Sequence, residues 1–177
     1  MRIIGGQWRG KKITAPESLA VRPTTDFAKT GLFNMLHHRY QLTTIKALDL
    51  FSGTGSITYE LLSRGCTEII AIDKNAGCIK FIDQTLDLLH APSTVFTAKE
   101  DAIVWLNNNI ETFDIIFADP PFEMEICASL KELIFKEEKL IKDGVFIFEH
   151  QSDKDYSQLE HFQELRKYGN VTFSFFK

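Results

Sequence analysis

The chain has 177 residues, a length typical of one domain with a substantial core, and 44% of them are hydrophobic. A charged fraction of 25% and the absence of an apolar run near the ~20 residues of a membrane span argue against disordered and membrane classes. We therefore expect a cytoplasmic protein that does not enter a membrane. Cys66, Cys78 and Cys127 lie far apart without a CxxC pair, so neither a disulfide framework nor a metal site is expected.

The net charge of −4 is distributed unevenly along the chain. The first 30 residues carry six basic and two acidic side chains, whereas the remaining 147 carry 14 basic and 22 acidic ones. A basic segment on an acidic body indicates a phosphate-binding surface at the amino terminus. The alternative is a solvated hairpin whose charge has no partner.

Residues 1–40 are predicted to form a basic hairpin and a helix. The segment IIGGQWRGKKI contains glycines that permit tight turns. Pro23 and the polar residues 24–26 provide a helix start, and alanine, leucine and methionine at helical spacing provide its buried face. We expect this extension to pack on a main unit comprising residues 41–177.

From residue 45 onward, short apolar runs alternate with segments of helical periodicity, which is typical of a mainly parallel sheet with helices on both faces. Two extended stretches after residue 160 are separated by a Gly-Asn pair and predict a closing hairpin. The fold class is therefore α/β. The predicted parallel strands are residues 45–51, 68–73, 94–98, 113–118 and 144–149.

A glycine turn follows the first predicted strand. Gly53 and Gly55 lack side chains, which lets the backbone approach a ligand closely. Thr58 stands where a dinucleotide site would have its third glycine, and no lysine follows as in a P-loop. The turn therefore fits a pyrophosphate or triphosphate poorly.

Three acids accompany this turn. Asp49 precedes it, and Asp73 ends the second predicted strand, where a carboxylate can accept hydrogen bonds from both hydroxyls of a ribose. Asp101 follows the third predicted strand and is placed to reach an adenine amine. Each acid alone is more often a helix cap or a loop residue. Together they indicate a pocket for an adenosine without phosphate.

The fourth predicted strand ends in Asp119, Pro120, Pro121 and Phe122. Proline often ends a strand, but two prolines behind an acid and next to a cofactor turn favour a binding site for an amine. The Asp119 carboxylate and the Pro120 carbonyl would accept hydrogen bonds from both N–H groups and direct the nitrogen lone pair toward a methyl donor. If the amine belongs to a nucleic-acid base, Phe122 would stack on that base, and such stacking contributes roughly 1–3 kcal/mol.

With these residues the chain resembles the class I Rossmann-like methyltransferases, and more closely the bacterial RsmD family of 16S ribosomal RNA guanine-N2 methyltransferases. The resemblance extends over nearly the whole chain and implies a seven-stranded sheet whose last strand is antiparallel. The residue blocks that carry it are RIIGG at 2–6, WRG at 8–10, RPTTD at 22–26, LFN at 32–34, LDLFSGTG at 48–55, DPPF at 119–122 and EH at 149–150.

The resemblance implies S-adenosylmethionine as cofactor, and ribosomal RNA as partner, within a small subunit or an assembly intermediate, for a monomeric enzyme. The implied cofactor contacts are Asp49, Phe51, Gly53, Gly55, Asp73, Asp101 and Ala102. The implied catalytic residues are Asp119, Pro120, Pro121 and Phe122. The expected RNA contacts are Arg2, Trp8, Arg9, Lys11, Lys12 and Arg22. Family members usually carry more arginine in the helix after RPTTD, where this chain has Phe27, Lys29 and Gly31.

Other functions fit parts of the same pattern. The tetrapeptide chemistry also suits an amine methyltransferase acting on adenine in DNA or RNA, or on a protein glutamine. A catalytically silent RNA-binding protein would keep the fold, although the intact Asp119 and glycines argue against it. A nicotinamide oxidoreductase is a further alternative. His150 follows the fifth predicted strand and is a candidate to face the site.

Overall fold

The computed structural model describes residues 1–19, 24–121 and 124–177. Within these ranges a seven-stranded sheet runs through the molecule in the order β3-β2-β1-β4-β5-β7-β6. The first five strands pair in parallel, and β7 lies antiparallel between β5 and β6. The strands are β1 (Lys46–Leu50), β2 (Glu68–Asp73), β3 (Val95–Lys99), β4 (Phe113–Ala118), β5 (Leu140–Gln151), β6 (Phe162–Tyr168) and β7 (Val171–Phe176).

Helices cover both faces of this sheet, because neighbouring residues along each strand point to opposite sides. Helices α1, α2 and α3 share one hydrophobic core with Ile115 and Phe117 of β4. Helices α4 and α5 share the other core with Ile116 and Ala118. The predicted α/β class and the mainly parallel seven-stranded sheet are thus confirmed. The helices are α1 (Asp26–Arg39), α2 (Ser56–Ser63), α3 (Ala76–Leu88), α4 (Ala102–Asn108) and α5 (Cys127–Lys136), with a short 3-10 turn at Leu42–Thr44.

The amino-terminal segment forms less regular structure than the predicted hairpin. It contains one isolated antiparallel bridge, between Arg2 and Lys12, rather than a ladder. Gly6 and Gly10 adopt positive φ angles of 75° and 85°, so the segment turns within the short stretch where strands would pair. Ile3 is 1% exposed and belongs to the core cluster that includes α1 and the sheet.

Local sequence signals set where the helices begin. Thr25 caps α1, and its hydroxyl accepts a hydrogen bond from the Ala28 N–H at 3.2 Å. Pro23 of the predicted helix start, and the predicted RNA contact Arg22, lie outside the described residues. All three cysteines are free thiols in the interior. In the described part of the chain, none of the helices has the length and apolar character needed to cross a membrane.

Candidate active site

A cavity of about 750 Å³ opens where β1, β2, β4 and β5 end at the same edge of the sheet. The chain leaves β1 toward β2 on one side and later returns to β4 on the other, so the order of strands reverses beside β1. Ligands of open α/β sheets bind at this kind of reversal, outside the carboxyl ends of the strands. The cavity therefore lies where the fold class favours a cofactor.

The glycine turn after β1 forms one wall of the cavity. Gly53 and Gly55 have φ angles of 53° and 82°, in the left-handed region that glycine adopts without strain. A Cβ atom at Gly55 would lie 2.6 Å from the Tyr59 ring. Phe51 adopts a φ of 58°, which is uncommon for an aromatic residue and indicates a constrained turn. These three predicted cofactor residues are thus held in one tight turn.

Asp73 connects this turn to the end of β2. Its Oδ2 atom accepts a hydrogen bond from the Gly53 N–H at 2.8 Å, and its Oδ1 atom accepts one from the Asn75 N–H at 2.8 Å. Asp73 also lines the cavity. Because each carboxylate oxygen can accept a second hydrogen bond, Asp73 can still bind the hydroxyls of a ribose.

Three carboxylates form the floor of the cavity: Asp49, Asp119 and Glu149. They lie on one face of the sheet, because Asp49 is registered with Phe117 and Asp119 follows that residue by two positions. Asp119 directly follows Ala118, which pairs with Phe148, so Asp119 and Glu149 are neighbours on adjacent strands.

The floor carboxylates differ in their partners. Asp49 accepts hydrogen bonds from the Thr58 N–H at 3.1 Å and from the Thr58 hydroxyl at 2.6 Å. Glu149 accepts one from the Thr24 hydroxyl at 2.8 Å. Within residues 1–19, 24–121 and 124–177, no group donates a hydrogen bond to the Asp119 carboxylate. In the same ranges, none of the three carboxylates forms a salt bridge. Asp119 is therefore available as an acceptor for a ligand.

Burial governs the protonation of this floor. Burial raises the pKa of Asp49 to about 7, although the two bonds from Thr58 oppose the shift. Burial likewise raises the pKa of Glu149 to about 7, and Asp49 adds to the rise. The pKa of Asp119 is raised well above its usual range, first by burial and then by the charges of Glu149 and Asp49. A cavity that gathers uncompensated negative charge favours a cationic ligand.

The raised pKa of Asp49 predicts that stability depends on pH. A group with a higher pKa in the folded state stabilises the protein fully below its unfolded pKa of about 4, and this contribution is lost as pH rises through about 7. We expect the melting temperature to fall from pH 5 to pH 8, and to fall less steeply in Asp49→Asn, whose amide oxygen still accepts from Thr58. Thermal unfolding followed by circular dichroism measures both slopes.

The control for this prediction is Asp87→Asn, because Asp87 is an exposed residue of α3. It should keep the parental slope. Identical slopes in Asp49→Asn and the parent would show that Asp49 does not titrate in this range.

Three predicted cofactor residues, Gly55, Asp101 and Ala102, do not line the cavity, although Gly55 belongs to the turn that forms its wall. The Asp101 carboxylate accepts hydrogen bonds from the Ile103 and Val104 N–H groups at 2.9 and 3.3 Å, and so caps α4. Ala102 is 3% exposed and packs into the core on the α4 side. Their role at an adenine stays a prediction. Of the tetrapeptide, Pro120 and Pro121 line the cavity beside Asp119, and Phe122 lies outside the described residues.

His150 does not line the cavity. Its Nε2 atom lies 2.8 Å from the Ser174 hydroxyl, and its Nδ1 atom lies 2.8 Å from the Gln151 carbonyl oxygen. Its ring stacks on Phe148, with centroids 6.0 Å apart. Because it follows Glu149 on β5, its side chain points to the opposite face of the sheet. We interpret His150 as part of the core.

The predicted RNA-binding residues lie in different environments. Arg9, Lys11 and Lys12 are exposed and form no salt bridge with any residue that the structure describes. Arg2 is paired with Asp26 at 3.0 Å. Trp8 is half-buried and packs against the core.

A second cavity, of about 610 Å³, places this basic segment beside the first. Arg2 and Lys12 contribute to its walls, and Thr54 of the glycine turn borders both cavities. The basic surface thus adjoins the first cavity.

The resembled family usually has more arginine in the helix where this chain has Phe27, Lys29 and Gly31. Lys29 and Gly31 face inward. Lys29 is 1% exposed. Gly31 lies against Tyr168, and a Cβ atom there would be 2.0 Å from the ring. Phe27, by contrast, is 67% exposed. An arginine at position 31 would not fit against Tyr168.

The cavity also contains residues that the sequence pattern does not place at the site. Glu149 and Thr24 belong to blocks of the family resemblance, and Thr24 also belongs to the predicted helix start, while Ser56 carries no sequence signal of its own. The Ser56 hydroxyl is buried and has no hydrogen-bond partner in the described part of the chain. Glu149 lies near the end of a predicted strand, which is a signal for a site residue. That strand is known to lie beside β4 only once the order of strands in the sheet is known.

Comparisons with known proteins agree with this geometry. The family model described as conserved hypothetical protein 95 matches residues 1–177. Ribosomal RNA small subunit methyltransferase D of Haemophilus influenzae is 30% identical over 170 residues, which cover 94% of this chain and 87% of the relative. The solved structure of hypothetical protein TTHA0928 of Thermus thermophilus has a TM-score of 0.87 at 23% identity, covering 100% of this chain and 99% of its own.

A more distant structure has the same fold. Coclaurine N-methyltransferase, solved bound to N-methylheliamine and SAH, has a TM-score of 0.56 at 20% identity and covers 77% of this chain and 38% of its own. The fold is thus that of the class I methyltransferases. Because the family model spans the chain from residue 1 to residue 177, this protein belongs to the RsmD family of S-adenosylmethionine-dependent ribosomal RNA methyltransferases.

Proposed function

We propose that this protein transfers a methyl group from S-adenosylmethionine to the exocyclic N2 amine of a guanine in 16S ribosomal RNA. The observation that carries the proposal is the Asp119 carboxylate, unpaired among the described residues, at the end of β4 in the cavity that the glycine turn also lines. Family membership supports ribosomal RNA as the substrate. The proposal includes a small subunit or an assembly intermediate as the target and a monomeric enzyme acting in the cytoplasm.

The charges of the cavity fit this cofactor. Five carboxylates line it, against a single lysine, Lys74, among the residues that the structure describes. This excess of negative charge opposes a phosphate group and favours the sulfonium and ammonium of S-adenosylmethionine. Asp73 would hold the ribose hydroxyls, and the buried Ser56 hydroxyl offers a further hydrogen bond. When bound, the cofactor supplies an activated methyl group on sulfur.

The chain contributes positioning and a proton acceptor. The Asp119 carboxylate and the Pro120 carbonyl would accept hydrogen bonds from the amine and orient its lone pair toward the methyl carbon. The cofactor would supply the methyl group with loss of its carbon–sulfur bond, and the Asp119 carboxylate would accept the surplus proton from the methylated nitrogen. Because the pKa of Asp119 is raised by burial, this carboxylate is a stronger base than an exposed aspartate.

Tritiated methyl transfer tests the proposal. Total RNA from cells that lack the enzyme, naked 16S RNA, partly assembled small subunits and DNA serve as substrates, and labelled nucleosides are then identified. N2-methylguanosine in small-subunit RNA is the expected product. Methyladenine, label in DNA or protein, or no transfer with any substrate would contradict the proposal. A calorimetric titration with NAD is expected to show no binding.

Asp73→Ala is expected to weaken S-adenosylmethionine binding by about 1–3 kcal/mol. The substitution removes the acceptor for the ribose hydroxyls and also releases the Gly53 N–H from its partner in the turn. Isothermal titration calorimetry measures the change, with Asp87→Ala as an exposed control that should bind like the parent. An unchanged affinity in Asp73→Ala would place the ribose elsewhere.

Replacing Arg9, Lys11 and Lys12 together by Ala is expected to weaken RNA binding and to flatten its dependence on salt. Release of counterions predicts a loss in slope of about 0.7 for each phosphate contact removed from a single strand. Affinity for S-adenosylmethionine should stay at the parental value. Filter binding between low and moderate salt measures the slope.

The matched control for the basic segment is Lys142→Ala, an exposed lysine in the part of β5 at the opposite edge of the sheet from the cavity. It should leave the slope unchanged. A parental slope in the triple variant would mean that these side chains are solvated and contact no RNA.

A further inference from the structure

Glu149 is a buried floor carboxylate that the proposed mechanism does not use. It is 3% exposed, yet it lines the cavity and therefore meets whatever occupies the space in front of Asp119. Its Oε2 atom accepts the hydrogen bond from the Thr24 hydroxyl at 2.8 Å. Its Oε1 atom receives no hydrogen bond from any residue in the described ranges. One oxygen is fixed by the fold and the other is free.

The fold does not compensate the charge of Glu149. No lysine or arginine forms a salt bridge with it in the part of the chain that the structure describes, and Asp119 and Asp49 add like charge nearby. A buried carboxylate in such surroundings destabilises the protein unless a ligand supplies its partner. A glutamine would keep the bond to Thr24 without this cost. The carboxylate itself must therefore serve a purpose in the cavity.

The neighbour of the target amine distinguishes the bases. In guanine, the ring nitrogen N1 next to the amine carries a hydrogen and donates. In adenine and cytosine, the ring nitrogen next to the amine carries a lone pair and accepts. Two adjacent carboxylates thus complement the two adjacent donor groups of guanine and repel the lone pair of the other bases. Asp119 directly follows β4 and Glu149 lies on β5, each one position beyond the paired residues Ala118 and Phe148.

We propose that Glu149 selects guanine as the substrate base, by accepting a hydrogen bond from the ring N1–H while Asp119 holds the neighbouring amine. This inference rests on the proposed function, because it assigns a further residue to the same base. Thr24 then acts as a positioning residue, since its hydroxyl orients the carboxylate with Oε1 toward the base.

The test compares guanine with 2-aminopurine, which keeps the 2-amine but has a lone pair at N1. The guanine that the parent enzyme methylates is mapped first, and RNA is then made with guanine or 2-aminopurine at that position. Single-turnover rates with tritiated S-adenosylmethionine are measured at a pH of about 8.5. This pH lies above the pKa of about 7 to which burial raises Glu149.

The parent is expected to prefer guanine, and Glu149→Gln is expected to lower the ratio of the two rates by about 10- to 100-fold, the effect of one charge-assisted hydrogen bond. The glutamine amide can donate to the lone pair of 2-aminopurine, so the rate on this base should rise in absolute terms. The control Glu160→Gln removes an exposed carboxylate from outside the cavity and should keep the parental ratio.

A second variant guards against misfolding. Thr24→Val removes the hydroxyl but keeps the carboxylate, and its ratio should fall between those of the parent and Glu149→Gln. If folded Glu149→Gln and Thr24→Val both keep the parental ratio, Glu149 has only a structural role and the inference is wrong. If the parent methylates no guanine at all, the proposed function itself fails at the mapping step, so the two failures are distinguishable.

Discussion

Asp119→Asn is expected to slow single-turnover methyl transfer by about 10²- to 10³-fold, the usual effect of losing one preorganised charge-stabilising group. The asparagine keeps the shape of the side chain but is no longer an anionic acceptor for the amine, nor a base for its proton. S-adenosylmethionine affinity should stay within a few-fold of the parent, because the proposed ribose contact is made by Asp73 and not by Asp119.

Stability provides an independent measure of the same substitution. Asp119 is half-buried beside Glu149 and Asp49, and loss of solvent together with these like charges raises the pKa of its carboxyl, so its ionisation is unfavourable in the folded protein. Asp119→Asn is therefore expected to unfold at the parental temperature or above it at pH 8, even though turnover collapses. Asp155→Asn, on an exposed loop residue, controls for the loss of one negative charge. Parental turnover by Asp119→Asn would show that the tetrapeptide only ends a strand.

The second large effect concerns the buried ion pair between Lys29 and Glu60. Their side chains are 1% and 0% exposed, and the Nζ and Oε1 atoms lie 3.4 Å apart. Lys29 also donates to the Arg2 carbonyl oxygen at 2.6 Å, and Glu60 accepts from the Ile4 N–H. Burial lowers the pKa of Lys29, while Glu60 opposes the shift. The pair thus fastens the amino-terminal segment to α1 and α2.

Lys29→Met is expected to lower the free energy of unfolding by about 3 kcal/mol, because Glu60 is left buried without its main counter-charge. The value lies at the lower end of the usual range, since Arg64 still contacts Glu60 at 3.4 Å. Urea denaturation measures the loss. The double variant Lys29→Met with Glu60→Gln should recover part of it, because residue 60, which is fully buried, then carries no charge.

Lys29→Met should also change RNA affinity, independently of its effect on the free energy of unfolding. Loosening the amino-terminal segment moves Arg9, Lys11 and Lys12, so RNA affinity should fall at a temperature where the protein is fully folded. The hydrogen bonds that fix Asp73 come from Gly53 and Asn75, so S-adenosylmethionine affinity should persist. A parental free energy of unfolding in Lys29→Met would mean that the ion pair contributes nothing net.

Much of the fold follows from the sequence, because the alternation of apolar strands with amphipathic helices leaves few topologies open. The main part of the site follows as well. Gly53, Asp73 and Asp119 each come directly after or at the end of a predicted parallel strand, and such strands end at one edge of the sheet. The positions of the strand ends are therefore enough to predict that these three residues lie together.

Other features depend on information that a linear pattern lacks. An acid between a strand and a helix, such as Asp101, is expected both for a helix cap and for a ligand contact. In the structure Asp101 caps α4. The importance of Glu149 depends on β5 lying next to β4, which is a property of the sheet and not of either strand. Lys29 lies in the polar first part of α1, three residues after Asp26, where the sequence pattern predicts an exposed side chain. It is buried because the amino-terminal segment packs over it.

The two backbone hydrogen bonds to Asp73 also bear on the thermodynamics of recognition. The carboxylate is already fixed by the Gly53 and Asn75 N–H groups, so the glycine turn after β1 is held in place before a ligand arrives. A receptor that is rigid in advance loses little conformational entropy on association, and its affinity reflects mainly the interactions it makes with the ligand. Sequence changes that loosen this turn would therefore weaken binding through entropy, even where every hydrogen bond to the ligand is kept.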